Sequence, residues 1–374
     1  MKKSLVTTAV VGALSFGSNA YSAEILNKDG TSFDVYGNLQ FAFWSLQQPD
    51  GSGDVDASNE FGDNGSTLGF KGEHSVNDDL TAYFKYEFES DADEIKTGNG
   101  LDTGDQAYFG LKGNFGDGRV GSWDALIDDW VQDPVSNNEF FDVSDSNGAI
   151  QGISGVTTLG DTSTDREGDK FQYVSPSFSG FRIAAGFQFK GSSESENISD
   201  SDKAAFFGGA EYTTGPVRVA FVYDSLDNYD GDVTGRQNLD ANGAAAGSFD
   251  AGDQFGLSVQ YTVNDDLRLA VKLEQYNSGD DDFVADESRY ALAARYHYGQ
   301  GDIYGTYQFV DVGDTQFSNL AGGAADGSDD SFNEVVVGTT YEITPALYTY
   351  VEAAYYDRED DLGDGIAVGA AYLF

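Results

Sequence analysis

The chain of 374 residues contains no cysteine, only 2 histidines, and 20 basic residues against 64 acidic ones. Without cysteine, neither disulfide bonds nor thiolate metal sites can form, even in an oxidising compartment. A formal net charge of −44 repels phosphate backbones, which argues against a nucleic-acid partner. The scarcity of histidine argues against nucleophilic catalysis, because such chemistry needs a base beside the nucleophile.

After its first residues the chain also lacks any apolar run of about 18 residues that could cross a bilayer as a helix. Its N-terminus carries two lysines, an apolar stretch over residues 5–16 and then small residues, which is the order of a secretory signal peptide. We predict cleavage after Ser22. Residues 1–22 are then the signal peptide, and residues 23–374 form a single domain that is exported to the periplasm and beyond.

Aromatic residues are abundant, with 22 Tyr and 27 Phe, and apolar residues recur with a period of two. This period is typical of β-strands that have one face in an apolar environment. When the strands are phased by their apolar residues, every charged side chain falls on the opposite face. The segments that show the pattern are 33–43, 80–88, 180–189, 216–224, 254–263, 267–276 and 288–298.

Short turns alternate with long polar loops along the chain, and the long loops include 47–63, 124–168 and 225–252. Seven turns and eight loops make fifteen connections, which implies sixteen strands of about ten residues. Ten residues tilted by about 40° rise about 25 Å, the height of the apolar band of an outer-membrane barrel. A soluble sandwich or propeller does not usually place every short turn at one end.

We therefore predict an all-β fold, a 16-stranded antiparallel transmembrane β-barrel. An open sheet edge in lipid would leave backbone N–H and C=O groups unpaired, at a cost of several kcal/mol each. For that reason the last strand, 364–374, is expected to pair with the first, 33–46.

Several stretches go beyond architecture: residues 23–37 at the mature start, 68–89, 119–126, 166–181 and the terminal AYLF. Together they resemble the general, non-specific porins of Gram-negative outer membranes, in which the segments matching 119–126 and 166–181 flank the third loop. The resemblance implies a homotrimer in the cell outer membrane, in contact with lipid and lipopolysaccharide. It also implies a water-filled channel for passive diffusion of ions and small hydrophilic solutes, and no enzyme activity.

The resemblance further implies that the third loop, about 124–168, folds inward and narrows the pore. Loop carboxylates would then face basic residues on the opposite wall. Of the positions that align with the family's basic cluster, only Arg166 is basic; the others are Asn38, Thr67 and Asp105. The loop carboxylates that we expect at the constriction are Asp124, Asp128, Asp129, Asp133, Glu139 and Asp142, and the wall cations are Lys85, Arg119, Arg166, Lys170 and Arg182. Because acidic groups dominate the loop, we predict a preference for cations.

The chain ends on alternating apolar residues and a terminal phenylalanine, which resembles the signal that the barrel-assembly machinery recognises in this family. The residues of this predicted signal are Val368, Ala370, Tyr372 and Phe374.

Two alternative functions remain open at this stage. A substrate-specific porin, for example for sugars, would need an aromatic slide along the pore, to which Tyr36, Trp44 and Tyr83 could contribute. An outer-membrane barrel hydrolase is the remote alternative. No cofactor and no catalytic or metal-ligating residues are predicted, although the acidic loops could bind Ca²⁺ or Mg²⁺ weakly.

Overall fold

A computed structural model describes residues 23–49, 55–96, 103–148, 166–189, 203–233, 247–279, 285–313, 330–358 and 361–374. The predicted signal peptide and residues 149–165 of the third loop lie outside the described residues. Within the described ranges, no helix is long and apolar enough to cross a membrane.

The described residues are mainly β-strands. In chain order the strands are β1 (Ala23–Lys28), β2 (Thr31–Pro49), β3 (Val55–Asp63), β4 (Thr67–Asn77), β5 (Leu80–Glu89), β6 (Thr103–Gly113), β7 (Gly116–Asp124), β8 (Arg166–Val174), β9 (Phe181–Phe189), β10 (Ala204–Thr214), β11 (Val217–Asp224), β12 (Gly231–Val233), β13 (Gly247–Phe249), β14 (Asp253–Thr262), β15 (Leu267–Asn277), β16 (Glu287–His297), β17 (Asp302–Val312), β18 (Asp330–Thr344), β19 (Leu347–Tyr356) and β20 (Gly365–Leu373). Four short helices complete the described elements: a π-helix (Asp128–Gln132), an α-helix (Asp133–Ser136) and two 3₁₀ helices (Ser146–Gly148 and Asp227–Tyr229).

The sheet closes on itself. Strand β20 pairs antiparallel with β2 from Asn38↔Leu373 to Leu46↔Gly365. On the other side of β2, β3 and β4 pair with successive parts of the same strand, so together they form one strand of the barrel. Strand β1 pairs with the start of β2, and β12 pairs only with β13. The result is a closed barrel of sixteen antiparallel strands, as the sequence predicts.

Alternation along the strands separates an apolar outer face from a polar inner face. In β15, Leu269 and Leu273 are 41% and 40% exposed. On the opposite face of the same strand, Lys272 and Glu274 are 0% and 3% exposed. Exposed leucine beside buried lysine inverts the distribution found in soluble proteins. It fits a barrel whose outer surface meets lipid and whose interior is polar.

The prediction of a loop at 47–63 is wrong. Strand β2 continues to Pro49, and β3 resumes pairing at Val55. Val55, Ala57 and Phe61 share one face of β3, but Asn59 interrupts their alternation, so the pattern in the sequence is too weak to indicate a strand. Backbone pairing extends the hairpin here, because inter-strand hydrogen bonds do not require apolar side chains. The strands β1, β12 and β13 also went unpredicted, because segments of six or three residues are too short to show a period of two.

Candidate functional site

After β7 the chain enters a non-strand stretch that contacts the inner face of the barrel. We call residues 125–148 the lumen segment. Its first half carries Ile127, Trp130 and Val131, which are 1%, 7% and 0% exposed and pack against inward-facing apolar residues of β9, β10 and β11. Gly256 on β14 provides the space, because a Cβ there would lie 2.7 Å from the Val131 side chain. The apolar spacing over one helical turn therefore fixes this half against the wall.

The second half of the lumen segment is held by a buried carboxylate on β19. Glu352 is 1% exposed. Its Oε1 accepts the backbone N–H of Glu139 at 2.8 Å, and its Oε2 accepts those of Phe140 and Phe141 at 2.7 and 2.8 Å. The Tyr304 hydroxyl donates to the same carboxylate. Three consecutive backbone N–H groups of the segment thus donate to the single carboxylate of Glu352.

Two further buried carboxylates continue this attachment around the wall. Glu334 of β18 accepts the Ser144 backbone N–H at 2.8 Å and pairs with Arg358. Glu274 of β15 accepts the Ser146 hydroxyl at 2.8 Å. Its partner Lys272 lies 2.7 Å away and also pairs with Asp145 of the segment. The part of the lumen segment after residue 138 is therefore anchored by ion pairs and hydrogen bonds in addition to the apolar packing of Phe141 and Val143 against the wall.

On the helical turns of the first half, three predicted loop carboxylates come together. Oxygens of Asp128, Asp129 and Asp133 all lie within 4.8 Å of one another. Asp129 is 3.7 Å from Arg119. Among the described residues no basic group lies within 4.0 Å of Asp128 or Asp133. Burial raises the pKa of Asp133 to about 7, and burial with the neighbouring carboxylates raises the pKa of Asp128. We call these three residues the acidic cluster.

The remaining predicted carboxylates lie outside the acidic cluster. Asp124 ends β7 and accepts the Gln106 amide at 2.5 Å. Glu139 accepts the Tyr348 hydroxyl at 2.9 Å, and burial raises its pKa to about 7. Asp142 accepts the Asn138 backbone N–H at 2.9 Å, and burial raises its pKa to about 8.

The predicted wall cations Lys85, Arg119 and Lys170 lie on the inner faces of β5, β7 and β8. Lys85 pairs with Glu87 at 3.2 Å. The Arg119 guanidinium stands 4.3 Å from the ring centroid of Trp123. Lys170 donates to the Trp123 carbonyl oxygen at 2.5 Å. These contacts fix cations beside the start of the lumen segment, and their role in the pore stays a prediction.

Farther round the wall, Arg182 and Arg218 share one carboxylate. Arg182 lies 2.7 Å and Arg218 2.6 Å from Glu211 on β10. The predicted cation Arg166 begins β8, where its backbone lies opposite Asp124 in the strand register. Its side chain lies outside the described residues.

The anchoring carboxylates Glu274, Glu334 and Glu352 were not predicted. In the sequence each is one more charged residue at an inward position of a strand. Their hydrogen bonds to the lumen segment join residues more than 120 positions apart in the sequence. Glu139 and Glu352, for example, are 213 residues apart. No local pattern reports such a contact.

Comparisons with known proteins agree with this architecture. The sequence profile of the family described as Gram-negative porin matches residues 7–361. Two relatives are each 47% identical over 385 residues, covering 100% of both chains: a monosaccharide porin of Halomonas sp and the major outer membrane protein of Halomonas elongata. The trimer form of OmpT, an outer membrane protein of Vibrio cholerae, has a TM-score of 0.60 at 18% identity, over 92% of this chain and 100% of that chain.

The chain belongs to the Gram-negative porin family. As a porin it is a channel of the outer membrane and not an enzyme. The polar inner face of the barrel is therefore the wall of the channel. The lumen segment, with its acidic cluster, is the candidate functional site of this porin.

Proposed function

We propose that this porin forms a homotrimer of water-filled channels for passive diffusion of ions and small hydrophilic solutes, with a preference for cations. The observation that carries the selectivity is the acidic cluster of Asp128, Asp129 and Asp133. Oriented charges on a narrow, low-dielectric passage focus the field on permeating ions and raise the local concentration of the opposite sign.

The balance of charge at the lumen segment favours cations. Much of the positive charge on the facing wall is compensated by wall carboxylates, since Lys85 pairs with Glu87 and two arginines share Glu211. Within the acidic cluster only Asp129 has a described basic partner, Arg119. The acidic cluster therefore supplies uncompensated negative charge on the segment, which supports the proposed cation preference.

The selectivity is tested by reversal potentials of the purified trimer in a KCl gradient across a planar bilayer. Wild-type channels should pass K⁺ in preference to Cl⁻, and closures in three equal steps would support the trimer. The double variant Asp128→Asn/Asp133→Asn should shift the reversal potential toward chloride. Asp265→Asn, in an exposed turn between strands, removes a carboxylate far from the segment and should leave the potential unchanged. Chloride preference in the wild type would refute the proposal.

A preference for sugars is the second candidate function. It is supported by the full-length relative described as a monosaccharide porin, at 47% identity. Of the aromatic residues that could form a slide, Trp44 packs against Phe140 of the lumen segment at a centroid distance of 5.2 Å. Tyr36 lies under Lys71 at 5.2 Å. Both rings therefore stand on the wall beside other lumen residues.

Liposome swelling separates the two candidates. A general channel should admit neutral solutes at rates that depend on their size alone. A sugar-preferring channel should admit glucose faster than a polyol of equal size. Trp44→Ala should remove that difference, whereas Trp123→Ala, beneath the Arg119 guanidinium, would test a wall position away from Phe140.

We also infer that the terminal residues from Val368 to Phe374 act as the assembly signal. In support, Val368 and Tyr372 are 49% and 50% exposed on the outer face. The backbone of Phe374 exchanges two hydrogen bonds of 3.0 Å with Gly37 at the barrel seam. The signal would thus be read before the seam closes. Removing Phe374 should slow barrel assembly in cells without changing the conductance of the channels that do form.

A further inference from the structure

A recess opens to the lumen between the lumen segment and the wall formed by β15, β16 and β17. The segment contributes Asp133, Asn137 and Asn138 to its lining, and the wall contributes Arg268 and Arg295. Apart from Tyr304, whose hydroxyl donates to Glu352, none of the lining residues takes part in the anchors formed by Glu274, Glu334 and Glu352. The recess therefore adjoins the Glu352 anchor and presents charges of its own.

Two arginines face each other directly in this recess. Arg268 of β15 and Arg295 of β16 are register partners, so their Cβ atoms lie about 5 Å apart. Like charges at such positions destabilise a sheet. Asp302 lies 3.5 Å from Arg295 and is also bonded to His297 at 2.9 Å. Arg268 has no carboxylate within 4.0 Å among the described residues.

The same recess contains an uncompensated negative group. Asp133 lines it and forms no ion pair with either arginine, although its carboxylate accepts the Asn137 amide at 3.3 Å. Asp128 and Asp129 lie beside it in the acidic cluster. A site that presents an unpaired guanidinium and an unpaired carboxylate to the same volume favours a ligand with both charges.

The recess exists because the wall between the charges is built from small side chains. Ala270 and Ala293 are register partners on β15 and β16, and both line the recess. Above them, Val135 packs against Ala270, and the Thr306 hydroxyl donates to the Val135 carbonyl oxygen at 2.9 Å. The short helix of the segment is thus held over an apolar floor that suits a short methylene chain.

We propose that this recess is a binding subsite for small zwitterionic solutes, in which the Arg268–Arg295 pair takes a carboxylate group and Asp133 takes an ammonium group. The proposal rests on the channel function proposed above. A simple anion would be repelled by Asp133 and its acidic neighbours, and a simple cation by the two arginines. A neutral polyol would fill the space but leave both charges uncompensated.

The test uses the intact trimer in planar bilayers in KCl at about pH 8, where Asp133 is ionised. Glycine, β-alanine and 4-aminobutyrate are added in turn. Potassium acetate, methylammonium chloride and glucose serve as controls that carry only the negative charge, only the positive charge or no charge. Zwitterions leave the ionic composition unchanged, so a fall in current or a rise in current noise reports binding directly. At least one zwitterion should produce a saturable block, and the three chain lengths measure the separation of the two charges.

Two variants connect the block to the recess. Arg268→Gln should weaken the apparent affinity roughly tenfold, because it removes a charge-assisted bond. Ala293→Leu should weaken it as well by filling the floor without changing any charge. Lys112→Gln is the matched control: it removes a positive charge from a 41% exposed lysine that pairs with Glu73 outside the recess, and the block should persist.

Three results would overturn the subsite while leaving the channel function standing: open channels with no zwitterion block, an equal block by acetate alone, or an equal block by glucose. Loss of the block in both Lys112→Gln and Arg268→Gln would also overturn the subsite, because the block would then depend on the net charge of the protein and not on the recess. A trimer that conducts no ions would refute the diffusion function itself, and the subsite with it.

Discussion

Replacing Glu352 by alanine should release the tip of the lumen segment from the barrel wall. The Glu352 carboxylate accepts three consecutive backbone N–H groups at 2.7–2.8 Å. No basic group lies within 4.0 Å of it among the described residues, so these bonds and the Tyr304 hydroxyl are what compensates its buried charge. Removing the carboxylate removes all of them at once.

The free energy of this attachment can be worked out from the number of hydrogen bonds to Glu352. Three backbone bonds to a charged acceptor contribute about 1.5–2 kcal/mol each, which gives roughly 5 kcal/mol for the attachment. A free energy of that size changes the equilibrium between attached and detached tip by a factor on the order of 10³. Glu352→Gln keeps one oxygen acceptor and should fall between the alanine variant and the wild type.

The assay is amide hydrogen exchange on the folded protein, followed at residues 139–141. Protection there should fall by a factor on the order of 10³ in Glu352→Ala, and single channels should show excess current noise as the tip moves in the lumen. Glu342→Gln, an exposed carboxylate on β18, is the matched control and should change neither signal. Protection and noise at wild-type levels in Glu352→Ala would refute the reasoning.

Three further predictions follow from the same structure. The pKa of Asp133 is raised to about 7 and that of Asp128 is also raised, so these carboxyl groups lose charge as the pH falls. The reversal potential in a KCl gradient should therefore show a weaker cation preference at about pH 5 than at about pH 8. A reversal potential that does not change with pH would contradict this. Lys272→Met leaves the buried Glu274 and the half-buried Asp145 without this cation and should cost about 3–5 kcal/mol, seen as a lower temperature of thermal unfolding. Gly37→Ala places a Cβ 2.8 Å from the terminal phenylalanine ring and against a backbone oxygen, so the yield of folded barrel should fall, whereas Gly118→Ala, with open space around it, should fold normally.

Much of the barrel could be predicted because apolar and polar residues alternate along a strand that has one face in lipid, and this alternation is visible in the sequence. In β15, Leu269 and Leu273 fall on one face and Lys272 and Glu274 on the other, and this alternation fixes both strand and orientation. Where the alternation is interrupted, that information is weak. In Val55–Asp63 it is interrupted at Asn59, and the strand was predicted as part of a loop.

The candidate site could be predicted only in part, for a different reason. The acidic composition of the third loop is local information, and it pointed to Asp128, Asp129 and Asp133. The separation of these three from Glu139 and Asp142 depends on where the wall holds the segment. That position is set by side chains from β10 to β19, whose spatial neighbours are decided by barrel closure rather than by sequence distance.

Both halves of the lumen segment have apolar packing, and the second half adds buried polar contacts. Trp130 and Val131 pack the helical turn that carries Asp128 and Asp129 against the wall. Phe141 and Val143 pack the second half, which also has the hydrogen bonds to Glu352 and the ion pairs of Lys272. Screening by salt reaches buried contacts weakly, so both attachments should persist over a wide range of salt concentration. Because the contacts of Trp130 and Val131 carry no titratable group, the charge of the acidic cluster can change with pH while the turn stays packed, and selectivity and pore dimensions become separable properties of the channel.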